Sequence, residues 1–152
     1  LVLSGTVVRC SLVGRIESPL EAFVNPPSFK IYQADTGLLV SKAGAQRADI
    51  LAGIGGTFMG ALTENYVAQQ LSAIGYPLHY WARDNRAEID FVVERQGCVS
   101  AIEVKAGENT RFRSLSSLKK SHPDVRLIRL STKPFGMNDG LRSIPLYAAF
   151  CL

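Results

Sequence analysis

Residues 57 to 74, TFMGALTENYVAQQLSAI, repeat apolar side chains at Met59, Leu62, Tyr66, Val67, Leu71 and Ile74, the spacing of one helical face. Gly75 and Pro77 end the pattern, since glycine tolerates the left-handed cap and proline cannot continue a helix. The period then shortens. PLHYWAR, EIDFVVE and CVSAIEVKA are rich in Val, Ile and aromatic residues and are parted by DNRA and RQG, which predicts three strands in an antiparallel meander. ENTRFRSLSSLKKSH returns to helical spacing, with Asn109 or Thr110 as cap and Phe112, Leu115 and Leu118 facing inward. A helical crossover leads to the next strand, VRLIRLS, so it should run parallel to the strand carrying Glu103. The order αβββαβ predicts an α/β fold with a mixed central sheet flanked by helices.

The flanks are less patterned. Residues 1 to 28 have short apolar pieces, the pair Pro26-Pro27 and no clear period, which reads as the tail of a preceding element and a linker, with the main domain spanning 29 to 152. FKIYQADTGLLV begins as a strand, then turns at Asp35, Thr36 and Gly37 into a short helix. Residues 42 to 56 contain four glycines and predict a loop with a partial helical turn. Residues 134 to 142 read as a loop, and SIPLYAAFCL as an apolar segment packed on the core.

Composition keeps this picture and narrows it. At 152 residues and 47% hydrophobic content the chain is long enough for one domain with a real core. No apolar run approaches the ~18 residues of a membrane span, and the start lacks the features of a signal peptide, so the expected compartment is the cytoplasm. Leu1 in place of Met fits a piece of a longer chain. Cys10, Cys98 and Cys151 lack the paired spacing of a zinc site and read as reduced and mostly buried; His79 and His122 are isolated and read as structural or surface residues. The net charge is +4, and the excess is uneven: from Arg83 onward twelve Lys or Arg face eight Asp or Glu, against five and five before it. A basic surface in the half that carries an acidic cluster suits a polyanionic partner.

That cluster lies in EIDFVVERQGCVSAIEVKAG. With Gln96 and Gly97 as a two-residue hairpin loop, Asp90 lies opposite Glu103 and Glu88 opposite Lys105, both pairs on one face. Like charges in opposition are unfavourable unless something positive lies between them, and a divalent metal is the natural candidate. The competing reading of these residues is an exposed, salt-bridged sheet face. Glu64 shares the margin of its helix's buried stripe, where a solvated border glutamate is the plainer reading.

Helix-Glu, strand-Asp and strand-Glu-x-Lys on an αβββαβ core resemble the PD-(D/E)xK nuclease-like superfamily, through Glu64, Asp90 and Glu103-Val104-Lys105. More closely, FKIYQADTGLL, GALTENYVAQQL, YW, AEIDFVVE, IEVKAG, RSL and IPLYA resemble, in order, domain of unknown function 4143, which follows a AAA-type ATPase module in many bacterial and archaeal proteins. The resemblance implies a restriction-endonuclease-like core, an ATPase upstream and a winged-helix-like segment between, whose end LVLSGTVVRCSLV resembles. No G-x-x-x-x-G-K-S/T phosphate loop occurs, so no ATP site is assigned to this chain.

The implied chemistry is metal-assisted phosphodiester hydrolysis, with DNA ahead of RNA as substrate. Mg²⁺ or Mn²⁺ prefers oxygen ligands, which Asp90, Glu103 and the Val104 carbonyl would supply, with Glu64 reaching in from the helix either to a metal-bound water or to a second metal. Lys105 would orient or help deprotonate the attacking water and balance charge, and Glu88 would hold Lys105. Arg111, Arg113, Lys119 and Lys120 are candidates for phosphate contacts, although a solvated helix face accounts equally for the last three. Tyr80 and Trp81 could stack on a base, but packing beneath the first long helix is the better expectation. The alternative function is a catalytically idle nuclease fold that binds DNA or a protein and couples it to the ATPase.

Overall fold

The structure is a computed structural model that describes residues 2, 4–53, 56–83, 87–107 and 113–152. Strands β1 (Val7–Val13), β2 (Val24–Gln33), β3 (Leu78–Arg83), β4 (Ala87–Arg95), β5 (Cys98–Val104), β6 (Arg126–Ser131), β7 (Gly136–Asn138) and β8 (Leu141–Pro145) form one mixed sheet. Their order across it is β2-β1-β3-β4-β5-β6-β8-β7. Helices are α1 (Thr36–Lys42), α2 (Arg47–Leu51), α3 (Gly56–Ala73) and α4 (Arg113–Ser121). From α3 to β6 the order is the expected αβββαβ, and β6 runs parallel to β5.

The sheet separates two hydrophobic layers. Val67, Ala68 and Leu71 of α3 pack with Phe91, Val93, Ile102, Val104, Ile128 and Leu130 on one side. Leu115 and Leu118 of α4 pack with Ile89, Val92, Val99, Ala101 and Leu127 on the other. A strand between two helical layers is covered on both faces, which is why most positions of β5 and β6 are buried.

At the other end the structure departs from the sequence pattern. Within the presumed tail and linker of residues 1 to 28, β1 lies between β2, antiparallel to it, and β3, parallel to it. Its period is masked because Cys10 and Val13 are buried while Arg9 is exposed over the Phe29 ring. Pro26 and Pro27 belong to β2, an edge strand, where the β1 register slips between Ser11 and Leu12. Proline is tolerated there because an edge leaves one side of the backbone unpaired. The expected loop at 134 to 142 contains β7 and the start of β8, antiparallel to each other; β8 joins β6 in parallel, and residues Leu146–Cys151 follow as a 3₁₀ segment.

Helix α3 is tied to β2 and α1 by polar contacts. Buried Asn65 accepts from the Gln33 N–H at 2.8 Å and donates to the Gln33 carbonyl and Thr36 Oγ1, each at 3.1 Å. Asp35 caps α1 through the Leu38 N–H at 2.9 Å. No helix among the described residues is long and apolar enough to cross a membrane.

Candidate functional site

The β4–β5 hairpin has the predicted register: Phe91 pairs with Ile102 and Arg95 with Cys98 around Gln96-Gly97, whose φ angles of 51° and 76° suit a tight hairpin turn. The paired ladder stops at Phe91 and Ile102, one residue short of Asp90 and Glu103. There a side chain takes over from the backbone, as Asp90 Oδ2 accepts the Val104 N–H at 2.7 Å.

An irregularity between β3 and β4 decides where Asp90 points. His79 pairs with Val92 but Trp81 with Ile89, so β4 carries one extra residue opposite Tyr80. Such a bulge interrupts alternation. Ile89 consequently lies in the α4-side core and Phe91 in the α3-side core, with Asp90 at the crossing between them. Its charge is felt by Tyr32 and Cys10, both in the α3-side layer, and Asp90 itself feels Lys105 and Glu103. Burial pushes Asp90 up to about 7; the Val104 N–H and Lys105 oppose the rise, and Glu64 and Glu103 add to it.

Glu103 follows regular alternation. Its neighbours Ile102 and Val104 belong to the α3 side, so Glu103 faces α4. It is 5% exposed, and burial raises its pKa against the opposing pull of Lys105 and the Leu115 backbone N–H. Lys105 Nζ meets Oε1 at 3.1 Å, while Oε2 is buried without a hydrogen-bond partner. The single face expected for both carboxylates is therefore replaced by a junction, with Asp90 turned by the bulge and Glu103 beneath α4.

Glu64 is held, contrary to the solvated-border reading. Its Oε1 accepts from the Tyr32 hydroxyl and lies 3.1 Å from Lys30 Nζ. Lys30 also pairs with Glu88 at 2.5 Å and sits over the Tyr80 ring, 5.0 Å from its centre. Glu88 thus pairs with Lys30, whereas the expected partner Lys105 pairs with Glu103; the β4–β5 ladder ends at Phe91 and Ile102, before the positions it would have matched. Burial alone would lower the Lys30 pKa, but Glu88 and Glu64 together raise it. Lys30 and Tyr32 went unread as site residues, although FKIY places both on one strand face, two residues apart.

Other candidates scatter. Arg111 lies outside the described residues, as do Asn109, Thr110, Phe112 and the side chain of Arg113. Lys119 is committed to Asp139 at 2.6 Å, and Lys120 is exposed. Tyr80 packs against the α3-side core and Trp81 against the α4-side core. Of the free cysteines only Cys10 is buried; Cys98 and Cys151 are exposed, against the expectation that most are buried. His79 is buried, with Nε2 3.2 Å from Glu21, in the structural role expected.

Among the described residues, no three His, Cys, Asp or Glu side chains converge closely enough to hold a metal ion by themselves. What fits a cation is narrower: a buried carboxylate oxygen without a partner on Glu103, and a neighbouring carboxylate held near pH 7 by burial and like charge. Mg²⁺ commonly takes one or two carboxylates and completes its shell with water and phosphate oxygens, so two suffice.

Residues 59–149 match the family described as Domain of unknown function (DUF4143). The uncharacterized protein Rv2008c of Mycobacterium tuberculosis and the uncharacterized protein Mb2031c of Mycobacterium bovis are each 37% identical to this chain over 105 residues. The alignments cover 67% of this chain and 23% of each relative, so the chain spans about a quarter of the length of these curated proteins. No solved structure matches.

Proposed function

This chain belongs to the family described as Domain of unknown function (DUF4143), and on that footing we propose that it is a metal-dependent nuclease domain with a restriction-endonuclease-like core, hydrolysing phosphodiester bonds in DNA. The observation that carries this reading is the junction at the end of the β4–β5 ladder. There the buried, half-satisfied Glu103, the raised Asp90 and Lys105 meet around the backbone of Val104. A dry carboxylate cluster is costly unless a cation joins it, and a cation would draw both carboxyl groups into their ionised form.

Asp90 and Glu103 would hold Mg²⁺ or Mn²⁺, which supplies Lewis-acid polarisation of the phosphate. Within a strand the N–H and C=O of one residue open on the same edge, so the Val104 carbonyl faces the gap that its N–H already bridges. Lys105, half-exposed beside Glu103, orients the attacking water and offsets charge on the phosphate oxygens. Water oxygen bonds to phosphorus as the bond to the leaving sugar oxygen breaks, and the proton the water gives up to solvent is balanced by one that the leaving oxygen takes from solvent. Glu64 borders the junction through its effect on Asp90. Exposed Lys120 and the basic half of the chain would contact the nucleic acid backbone. The remaining length of the curated relatives leaves room for the upstream ATPase that the family resemblance implies, and the cytoplasm is the compartment in which such a protein meets DNA.

A second reading has its own support. Asp90 sits at the crossing between the layers while Glu103 faces α4, and no three metal-binding side chains converge among the described residues, as an idle nuclease fold that binds DNA or a protein would allow. Cleavage of single- and double-stranded DNA with Mg²⁺ and with Mn²⁺ separates the two, run beside folded Asp90→Ala and Lys105→Ala proteins. Metal-dependent cutting lost in both variants establishes the nuclease. No cutting and no metal binding, with salt-dependent DNA association that survives Asp90→Ala, establishes the binding module.

A further inference from the structure

Four elements converge on one ammonium group outside the proposed metal junction. Lys30 of β2 reaches Glu64 of α3 at 3.1 Å and Glu88 of β4 at 2.5 Å, and lies 5.0 Å from the centre of the Tyr80 ring of β3. Tyr32, two residues along β2, donates its hydroxyl to the same Glu64 oxygen. The carboxylate that a second divalent ion would need is thus already engaged by a cation and a hydroxyl. An ion arriving there would meet the positive charge of Lys30 at close range.

The charges of the described residues point the same way. Among them Glu64, Glu88, Asp90 and Glu103 carry four negative charges when ionised, against Lys30 and Lys105, which leaves two uncompensated within that set. One divalent ion balances that remainder, and a second would leave an excess of two positive charges in a partly desolvated site. The uncompensated side is the Asp90–Glu103 junction, where Glu103 Oε2 has no partner.

We infer that Lys30 is a resident cation standing where a second metal would bind, so that the site takes a single divalent ion at the Asp90–Glu103 junction and Lys30 acts as a positioning residue for Glu64. This rests on the metal-dependent reading above and deepens it. In contrast to the expectation from the sequence, Glu64 is not a metal ligand on this assignment; it is fixed by Lys30 and Tyr32 and shapes the junction through its charge.

The test is the number of Mn²⁺ ions bound per chain, counted by calorimetry and by paramagnetic resonance on the intact protein, with folding checked by circular dichroism. The parent should bind one ion, Lys30→Gln two, and Lys30→Arg one, because arginine restores the charge. Two ions on the parent, or one on a folded Lys30→Gln, would overturn the inference while leaving the nuclease reading standing. No ion on the parent would remove the metal-dependent reading itself, and this inference with it. If Lys30→Gln does not fold, the parent count decides: one ion supports the assignment and two refute it.

Discussion

Two acidic clusters of this chain adjoin on β4, where Glu88 and Asp90 stand two residues apart, and are treated in opposite ways. On the α3 side, Glu64 and Glu88 share Lys30, and Tyr32 supplies a hydroxyl, so each carboxylate is paired within the protein. At the junction toward α4, Glu103 has one oxygen on Lys105 and one buried without a partner, and Asp90 leans on a single backbone N–H with its pKa raised to about 7. Among the described residues the first cluster is complete as it stands and the second is short of positive charge. Structural ion pairs are satisfied locally, whereas a site that binds a cation has to leave its compensation to the ligand.

The largest effect that would break this contrast is on cleavage. Asp90→Ala should lower metal-dependent DNA cutting by at least about a hundredfold, the scale for losing a charge-stabilising group, and abolish ion binding in calorimetry. Lys105→Ala should cost about 10²- to 10³-fold in rate, as for a group that offsets developing charge, while keeping the ion. Equal loss of ion binding in both variants would make Lys105 a structural part of the junction.

Next in size is stability. Lys30→Met strands two carboxylates that are only partly exposed, and should cost about 1 to 3 kcal/mol, less than for a fully buried pair. Urea denaturation of Lys30→Met, Glu64→Gln and the double variant measures the coupling; additive losses would mean that the pair contributes nothing of its own.

The pH dependence sharpens the same comparison. Folded Asp90 titrates near 7 against an ordinary 3.8, so between those values the folded chain holds a proton that the unfolded chain has lost. Stability without metal should therefore fall as pH rises through that window, by up to about 1.4 kcal/mol per pH unit, and level off above it. Raised Glu103 acts in the same direction. Asp90→Asn, which keeps an oxygen for the Val104 N–H, should flatten the fall, and Mg²⁺ should reduce it in the parent; an unchanged slope in Asp90→Asn would place the proton elsewhere.

The smallest effect concerns the phosphate contacts. Lys120→Ala should weaken DNA binding about equally for all sequences and reduce the salt slope by about 1. Lys119→Ala should change it less, because Lys119 is already spent on Asp139. A filter-binding titration over salt concentration distinguishes them.

Much of this architecture was legible in the chain. The α3 stripe through Leu62, Val67 and Leu71, the Gln96-Gly97 turn and the β4–β5 register follow from local periodicity and turn chemistry, which act over a few residues. Resemblance in strings such as IEVKAG pointed to the family that the match over residues 59–149 establishes. β1 was not legible, because its environment comes from strands far along the chain and its own polar residues break the alternation. The β7–β8 hairpin was hidden by turn residues that also suit a loop.

For the candidate site, the sequence determined which carboxylates and lysines stand near the hairpin, since strand spacing fixes that much. Tertiary structure alone decided how they are shared. One extra residue opposite Tyr80 turns Asp90 out of regular alternation, and β2, distant in sequence, brings Lys30 and Tyr32 to Glu64 and Glu88. Pairing across strands depends on a register summed over several elements, and a single inserted residue changes it without leaving a mark in local composition.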